Sequence, residues 1–437
     1  MLLETLKKNK IYSQNLRVIF NTQWLLFDKF LRIGIGILLN AWMARFLGTE
    51  DFGILRYAVS LVSLFIPLAE LGLSTIAVRE FLNLRSQKYQ LVGTIFSLKL
   101  AAAAAVAVIG CGVVAFFIDQ EENLLRLLIL IISCGMLFQA FDVIDYWFQS
   151  RIESKFVVIA KSAAFIISAS IKVFLLLSHA SLIAFGMALI ADSILNATAL
   201  IIVFQWRKNH LARARISLEL AKKLLHSSSP LIFSGIMKIV FLRIDQVMIK
   251  NMLDASELGI YSAAVQLSEG FFFIPMILHS SVFPTIVEAK EQSLALFYQR
   301  LQTFYNTLAL LGYIIAIAIT ISSSLIVGVL YGPEYGRSAN LLAVLIWSVV
   351  FINLGVGRSA FLISMDMTKF HLFSMTGACI LNISLNLTLI PVFGLTGAAI
   401  ASILSYGFAG YFSSFLYRPL FRTGMMLTKS MLYPKFW

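Results

Sequence analysis

The chain has 437 residues, 59% of them hydrophobic and only 13% charged, with a mean hydropathy of +0.87. Soluble domains carry about 25% charged residues, so the composition excludes a soluble domain and points to a polytopic membrane protein. The formal net charge of +13 does not point to nucleic acid, because the basic residues gather in loops on one side of the expected membrane, where topology accounts for them.

A membrane-crossing helix needs about 20 apolar residues. The N-terminal stretch MLLETLKKNKIYSQNLR is polar and basic, with no short apolar region and cleavage site after it, so no cleaved signal peptide is expected. Twelve spans are predicted, near residues 19–46, 54–78, 92–118, 124–149, 156–178, 182–205, 229–252, 259–287, 301–330, 338–364, 370–391 and 395–417. Short links (Asp119–Asn123, His179–Ser181, Asp254–Leu258 and Tyr331–Arg337) follow odd-numbered spans and make helical hairpins. One side receives Lys7, Lys8, Lys10, Arg17, Arg79, Arg85, Lys88 and the Arg207–Lys223 cluster. The other receives little beyond Arg56, Arg126 and Arg337. The basic side is read as cytoplasmic, with both termini on it.

The expected fold is an all-α integral membrane protein of twelve transmembrane helices in two six-helix lobes. The N-terminal lobe covers 1–206, a cytoplasmic linker 207–228, and the C-terminal lobe with a short basic tail 229–437. Within the linker, SLELAKKLLH (Ser217–His226) has helical apolar spacing, which fits either a helix lying on the membrane surface or a solvated linker helix. Cys111, Cys134 and Cys379 have no metal or disulfide spacing and are read as small apolar fillers. Trp24, Tyr57, Trp147, Trp206, Tyr331 and Tyr417 lie near span ends, as interfacial aromatics do.

The two halves echo one another. Phe46–Leu61 reads FLGTEDFGILRYAVSL and Met252–Leu267 reads MLDASELGIYSAAVQL, so that Gly53, Ala58, Val59 and Leu61 match Gly259, Ala264, Val265 and Leu267 at an offset of 206 residues. Ser154–Phe156 (SKF) and Thr368–Phe370 (TKF) open spans five and eleven, and FGMA at Phe185–Ala188 resembles LTGAA at Leu395–Ala399. Equivalent spans then point the same way. These are parallel repeats, a design in which transporters bind substrate between lobes and alternate access around it.

These stretches, with Arg243–Glu269 (RIDQVMIKNMLDASELGIYSAAVQLSE), ARFLGTEDFGILRYAVSL and PVFGLTGAA at the end, resemble the polysaccharide-exporter branch of the MOP superfamily, which also holds the MATE drug exporters and lipid II flippases. The chain looks most like a Wzx-type flippase. Lipid II flippases usually carry two further C-terminal spans, which sets that subgroup apart. The resemblance implies a multi-pass protein of the bacterial inner membrane that moves an undecaprenyl-diphosphate-linked oligosaccharide, such as an O-antigen repeat unit of lipopolysaccharide. Its implied partners are the lipid bilayer and the polymerase and chain-length regulator of the same pathway.

Charge at membrane depth is costly and marks functional sites. Asp28, Lys29 and Arg32 share a face of span one by their i,i+3 and i,i+4 spacing. Lys238 and Asp245 share a face of span seven, while Arg243 lies well round that helix. An anionic diphosphate head group calls for Lys29, Arg32, Lys238, Arg243 and Arg358 as its ligands. The alternative is packing, with Arg32 paired to Asp28 and Arg243 paired to an acid on a neighbouring helix. Asp28, Glu70 and Asp245 are the acids for H⁺ or Na⁺ coupling or for ion pairing. Asp142 and Asp145 are read as capping or pairing with Arg151, and Lys161 and Lys172 as reaching for an interface. Pro67 and Pro275 sit mid-span, two residues out of register, and would kink either gate helices or a static bundle.

No nucleotide-binding loop, no catalytic pattern and no metal-ligand spacing is present, so neither an enzyme nor a cofactor is expected. The competing functions are a MATE-like ion-coupled exporter of small molecules and a non-transporting scaffold. The excess of basic over acidic residues at membrane depth favours an anionic substrate.

Overall fold

A computed structural model describes residues 2–209, 211 and 214–433, and for residues 2–28, 30, 85, 117 and 368 it describes the backbone alone. Helices follow in the order α1 (Leu2–Ser63), α2 (Ile66–Glu70), α3 (Leu73–Asn83), α4 (Lys88–Phe117), α5 (Asn123–Gly135), α6 (Val143–Ser150), α7 (Ser154–Leu177) and α8 (Leu182–Trp206). They continue as α9 (Leu218–Met252), α10 (Ala255–Glu269), α11 (Phe273–Gln292), α12 (Leu294–Leu330), α13 (Gly336–Leu345), α14 (Ser348–Ser364), α15 (Thr368–Gly410) and α16 (Phe421–Leu432). No strand occurs among the described residues. In hydrocarbon every backbone amide must find its partner within the protein, and a helix meets that demand alone.

Among the described residues, nine helical runs are long and apolar enough to cross a bilayer. Three predicted spans do not stand out as runs of their own, for local reasons. Span 229–252 lies within α9 but carries Lys238, Arg243, Asp245 and Lys250. Span 54–78 is interrupted between α1 and α2 and again between α2 and α3. The last two share α15, broken at Gly394 (φ 57, ψ −137). A Cβ on Gly397 would strike the carbonyl of Leu389, eight residues back. A continuous helix would hold those residues about 12 Å apart, and Gly377 packs against Phe408, so α15 is a hairpin. A second such break falls at Gly48 (φ 76, ψ 177) in α1, where spans one and two were expected to join.

Two compact units emerge, one of residues 1–40 and 61–236, the other of residues 41–60 and 237–437. The first is built on Leu73, Ile76, Leu91, Val143, Trp147 and Phe204. The start of α9 belongs to it: Leu220 and Leu224 join this cluster, the Ser217 amide donates to Thr94 Oγ1 at 3.0 Å, and Lys223 Nζ reaches Glu80 Oε2 at 3.1 Å. One face of the SLELAKKLLH segment thus packs on the first unit, while Leu218, Glu219, Lys222, Lys223 and His226 on the other are exposed. Leu220 and Leu224 of its apolar stripe share a cluster with residues of α3, α4 and α6. Tyr57, Trp147 and Tyr331 are likewise buried instead of forming an interfacial belt, whereas Trp206 and Tyr417 are exposed.

In the second unit, Phe297, Leu301, Tyr305 and Leu308 of α12 pack on Val349, Val350 and Leu354 of α14. Here the two echo segments meet. A Cβ on Gly53 would overlap the carbonyl of Ala255, and one on Gly259 would overlap the carbonyl of Thr49. Thr49 and Ala255 are themselves 206 residues apart, so both collisions are one contact seen from either repeat. Around it Thr49 Oγ1 lies 2.7 Å from Ser256 Oγ, Tyr57 Oη donates to Asn251 Oδ1 at 3.1 Å, and Ser60 Oγ donates to Gln246 Oε1 at 2.7 Å.

The helical breaks at residues 64–65 and 270–272 coincide under the same offset. Pro67 and Pro275 each lie in the first turn after a break, in α2 and α11. There the missing N–H has no helical partner to lose. The prolines thus stand just after interruptions of the helix and start the helices that follow.

Asp254 caps α10, its carboxylate accepting from the Glu257 amide at 2.8 Å. Asp254→Ala is expected to lower stability by about 1 kcal/mol, read as a drop in the thermal midpoint of the purified protein. An unchanged midpoint would mean that the cap adds nothing to this hairpin.

Candidate functional site

The first unit holds a cavity of about 510 Å³ lined by Arg32 of α1, Glu70 of α2, Asp145 of α6, Lys161 of α7 and Asn196 of α8. A 3-10 stretch over residues 136–142 replaces α-helix between α5 and α6 and contributes Gln139 and Asp142 to the wall.

Lys161 bridges the two aspartates, with Nζ 2.8 Å from Asp145 Oδ2 and 3.4 Å from Asp142 Oδ1. Behind them Lys99, only 1% exposed, lies 3.6 Å from Asp142 Oδ2 and donates to Tyr146 Oη at 3.1 Å. The guanidinium of Arg32 sits over the ring of Phe165, 5.1 Å from its centroid. These pairings correct two expectations. Asp142 and Asp145 bond Lys161 instead of Arg151, whose guanidinium covers Trp147. Lys161 and Lys172 do not reach for an interface, because Lys172 pairs with Asp192 across the α7–α8 hairpin. The lining therefore carries both signs: Glu70, Asp142 and Asp145 against Arg32 and Lys161. It is not the basic wall that the total charge leads one to expect.

The second unit has a smaller polar centre. Arg243 is forked onto Glu269, at 2.8 and 3.1 Å, the packing alternative. Asp245 accepts from Tyr261 Oη at 2.7 Å and from the Gln246 amide at 2.8 Å, and Tyr261 Oη lies 3.2 Å from Ser402 Oγ. Asp245, Tyr261, Glu269, Asn382, Ser402 and Tyr406 line a void of about 20 Å³, room for about one water molecule.

Of the five cations expected to hold an anionic head group, Arg32 alone lines the larger cavity. Lys29 and Lys238 are exposed, and the side chain of Asp28 lies outside the described residues. Arg358 is fully buried in α14, donating to Ser413 and Ser414 hydroxyls at 2.7 and 3.0 Å and to the Ala409 carbonyl. It ties the turn after α15 to α14. Arg358→Lys, which cannot span three acceptors with a planar fork, is expected to cost about 2 kcal/mol, measured as a lower thermal midpoint; an equal midpoint would make Arg358 a ligand candidate again. Sequence reasoning missed Gln139, Gln149 and Asn196 of the cavity wall, since neutral amides in an apolar helix carry no pattern of their own. Arg56, expected on the less basic side, lies in electrostatic reach of Arg243, Glu269 and Tyr331. Among the described residues no group of three or more His, Cys, Asp or Glu side chains is placed to hold a metal ion.

A sequence model for a family described as "Polysaccharide biosynthesis protein" matches residues 42–340. No curated protein matches the chain. Among solved structures, an inward-facing multidrug resistance MATE family transporter of the MOP superfamily aligns with a TM-score of 0.71 at 11% identity, over 90% of this chain and 96% of that one. The lipid II flippase MurJ in an inward closed conformation gives a TM-score of 0.70 at 13% identity, over 95% and 91%. A eukaryotic MATE transporter gives 0.56 at 14% identity, over 96% and 100%. At such identities the shared property is the fold, a multi-pass helical membrane architecture.

Proposed function

Because the chain belongs to the polysaccharide biosynthesis protein family, whose model spans residues 42–340, we propose that it is a flippase for an undecaprenyl-diphosphate-linked oligosaccharide, an O-antigen or similar repeat unit. It carries this unit from the cytoplasmic to the outer face of the bacterial inner membrane by alternating access, as a transporter and not an enzyme. Twelve crossings in two six-helix lobes, with both termini cytoplasmic, belong to the same proposal.

The observation that carries it is the cavity of the first unit. Its Gln139, Gln149, Asn196, Asp142 and Lys161 side chains offer donors and acceptors in alternation, which is what sugar hydroxyls, each both donor and acceptor, require. A polar cavity of this size at membrane depth is costly to keep unless something polar enters it. The carboxylates Glu70, Asp142 and Asp145 in the wall also support coupling to H⁺ or Na⁺.

The same three carboxylates favour a second reading, an ion-coupled exporter of small cationic molecules. Deletion and complementation, following surface polysaccharide and lipid-linked precursor together, separates the two. Loss of surface glycan with precursor building up inside, both reversed by the intact gene, supports the flippase. Normal glycan with raised sensitivity to cationic drugs supports the exporter.

A further inference from the structure

The turn from α14 into α15 borders a second large cavity, of about 580 Å³, lined by Asp366, Met367, Lys369, Phe370, Phe373 and Tyr417. Half of this lining is aromatic. Phe370 and Tyr417 stack, with centroids 5.6 Å apart and planes 19° from parallel, and the ring of Phe373 lies 5.7 Å from that of Phe370. Arg358, fixed by its hydrogen bonds to Ser413, Ser414 and Ala409, holds its guanidinium 5.7 Å from the Phe370 centroid. The lining also carries one charge of each sign. Asp366 and Lys369 are exposed. They stand three residues apart yet do not pair, and among the described residues no hydrogen bond or ion pair holds either side chain. Asp366 has left-handed backbone (φ 57) in a turn closed by the Met367 amide, which donates to the Leu362 carbonyl at 2.8 Å.

This cavity lies where membrane-crossing helices end. The runs Pro333–Ser364 and Lys369–Gly410 are each long and apolar enough to cross a bilayer, and Asp366 falls between them. Phe373, Ile380 and Leu387 are exposed at seven-residue spacing, which puts them on one face of α15. An apolar stripe therefore leads from the cavity along the helix. A complementary ligand offers an anion to Lys369, a cation to Asp366 and hydrocarbon to the stripe. A head group of one sign leaves one of the two side chains without a partner. We infer that the cavity binds a zwitterionic phospholipid with a primary amine, phosphatidylethanolamine. Its phosphate meets Lys369. Its ammonium meets Asp366 and the aromatic faces beside it, and an acyl chain follows Phe373, Ile380 and Leu387. A quaternary amine has no N–H to donate to the carboxylate. The site stands whichever substrate the chain carries.

The full-length protein in detergent is titrated with the dioctanoyl forms of phosphatidylethanolamine, phosphatidylcholine and phosphatidylglycerol, and with soluble phosphoethanolamine. Bound ligand is read by native mass spectrometry. Phosphatidylethanolamine is expected to bind most tightly. Asp366→Asn, which tolerates the left-handed backbone, is expected to weaken it about fivefold, the order of one partly exposed charged hydrogen bond, and to leave phosphatidylglycerol unchanged. Lys369→Gln should weaken both lipids. Phe373→Ala should weaken the lipids and spare phosphoethanolamine. Equal binding of the three lipids by the wild-type protein, the mark of ordinary bilayer contact, overturns the proposal. So does an Asp366→Asn protein that keeps the wild-type preference. Phosphoethanolamine that binds as tightly as the lipid overturns it too, because the cavity would then serve a soluble zwitterion.

Discussion

Gly259→Leu is expected to abolish transport and to lower the thermal midpoint of the purified protein further than Asp254→Ala, Arg358→Lys or Lys161→Met, with Gly53→Leu close behind. Overpacking a core costs typically about 1–3 kcal/mol, because side chains around the intruder rotate away. At these two positions the atom in the way is a backbone carbonyl, of Thr49 and Ala255 respectively, and a carbonyl within a helix cannot rotate without losing its own hydrogen bond. Even alanine collides, so the loss should exceed about 3 kcal/mol for leucine, beyond the usual overpacking range. Gly112 of α4, with no heavy atom within 4 Å of a built Cβ, is the control: Gly112→Leu should be silent in both assays. Wild-type stability and transport in Gly259→Leu would mean that the two repeats do not need to touch at this crossing.

Lys161→Met is expected to be the most damaging change in the cavity of the first unit. It leaves Asp145 without a cation, while Asp142 keeps only Lys99 and Glu70 stands in the same wall. Removing one partner of a buried pair costs about 3–5 kcal/mol. Here the side chains keep 18–29% of their exposure, and water in the cavity reduces the loss to about 2 kcal/mol. Adding Asp145→Asn to Lys161→Met should restore much of the thermal midpoint, since the carboxylate that lost its cation is then gone. A double variant no more stable than Lys161→Met alone would show that the lysine acts through its methylenes and not its charge.

Much of this architecture is legible in the residues alone. The 206-residue echo carries Gly53 and Gly259, and these prove to be the points of closest backbone approach. The all-helical membrane fold follows from composition. Partner choice is harder, because a charge in an apolar helix shows its existence and not its direction. Some partners are readable all the same. Asp145 and Lys161 lie at similar distances on either side of the turn at residues 151–153, so a tight hairpin brings them level. Arg358 could not be read this way, since its acceptors are hydroxyls and a carbonyl more than fifty residues on. Nor could the fusion of Ser217–His226 into α9, because an amphipathic stripe looks the same whether it meets lipid, solvent or α3.

The reciprocal contact of Gly53 on Ala255 and Gly259 on Thr49 has the form of an isologous dimer interface, in which residue i of one copy meets residue j of the other and the reverse also holds. Each half of the chain thus carries a surface complementary to its own duplicate. The first unit holds a wide polar cavity and the second a tight polar core. At the crossing a change in one half alters the surroundings of its counterpart at once. The seam is therefore where the two halves still constrain each other as the subunits of a symmetric dimer would.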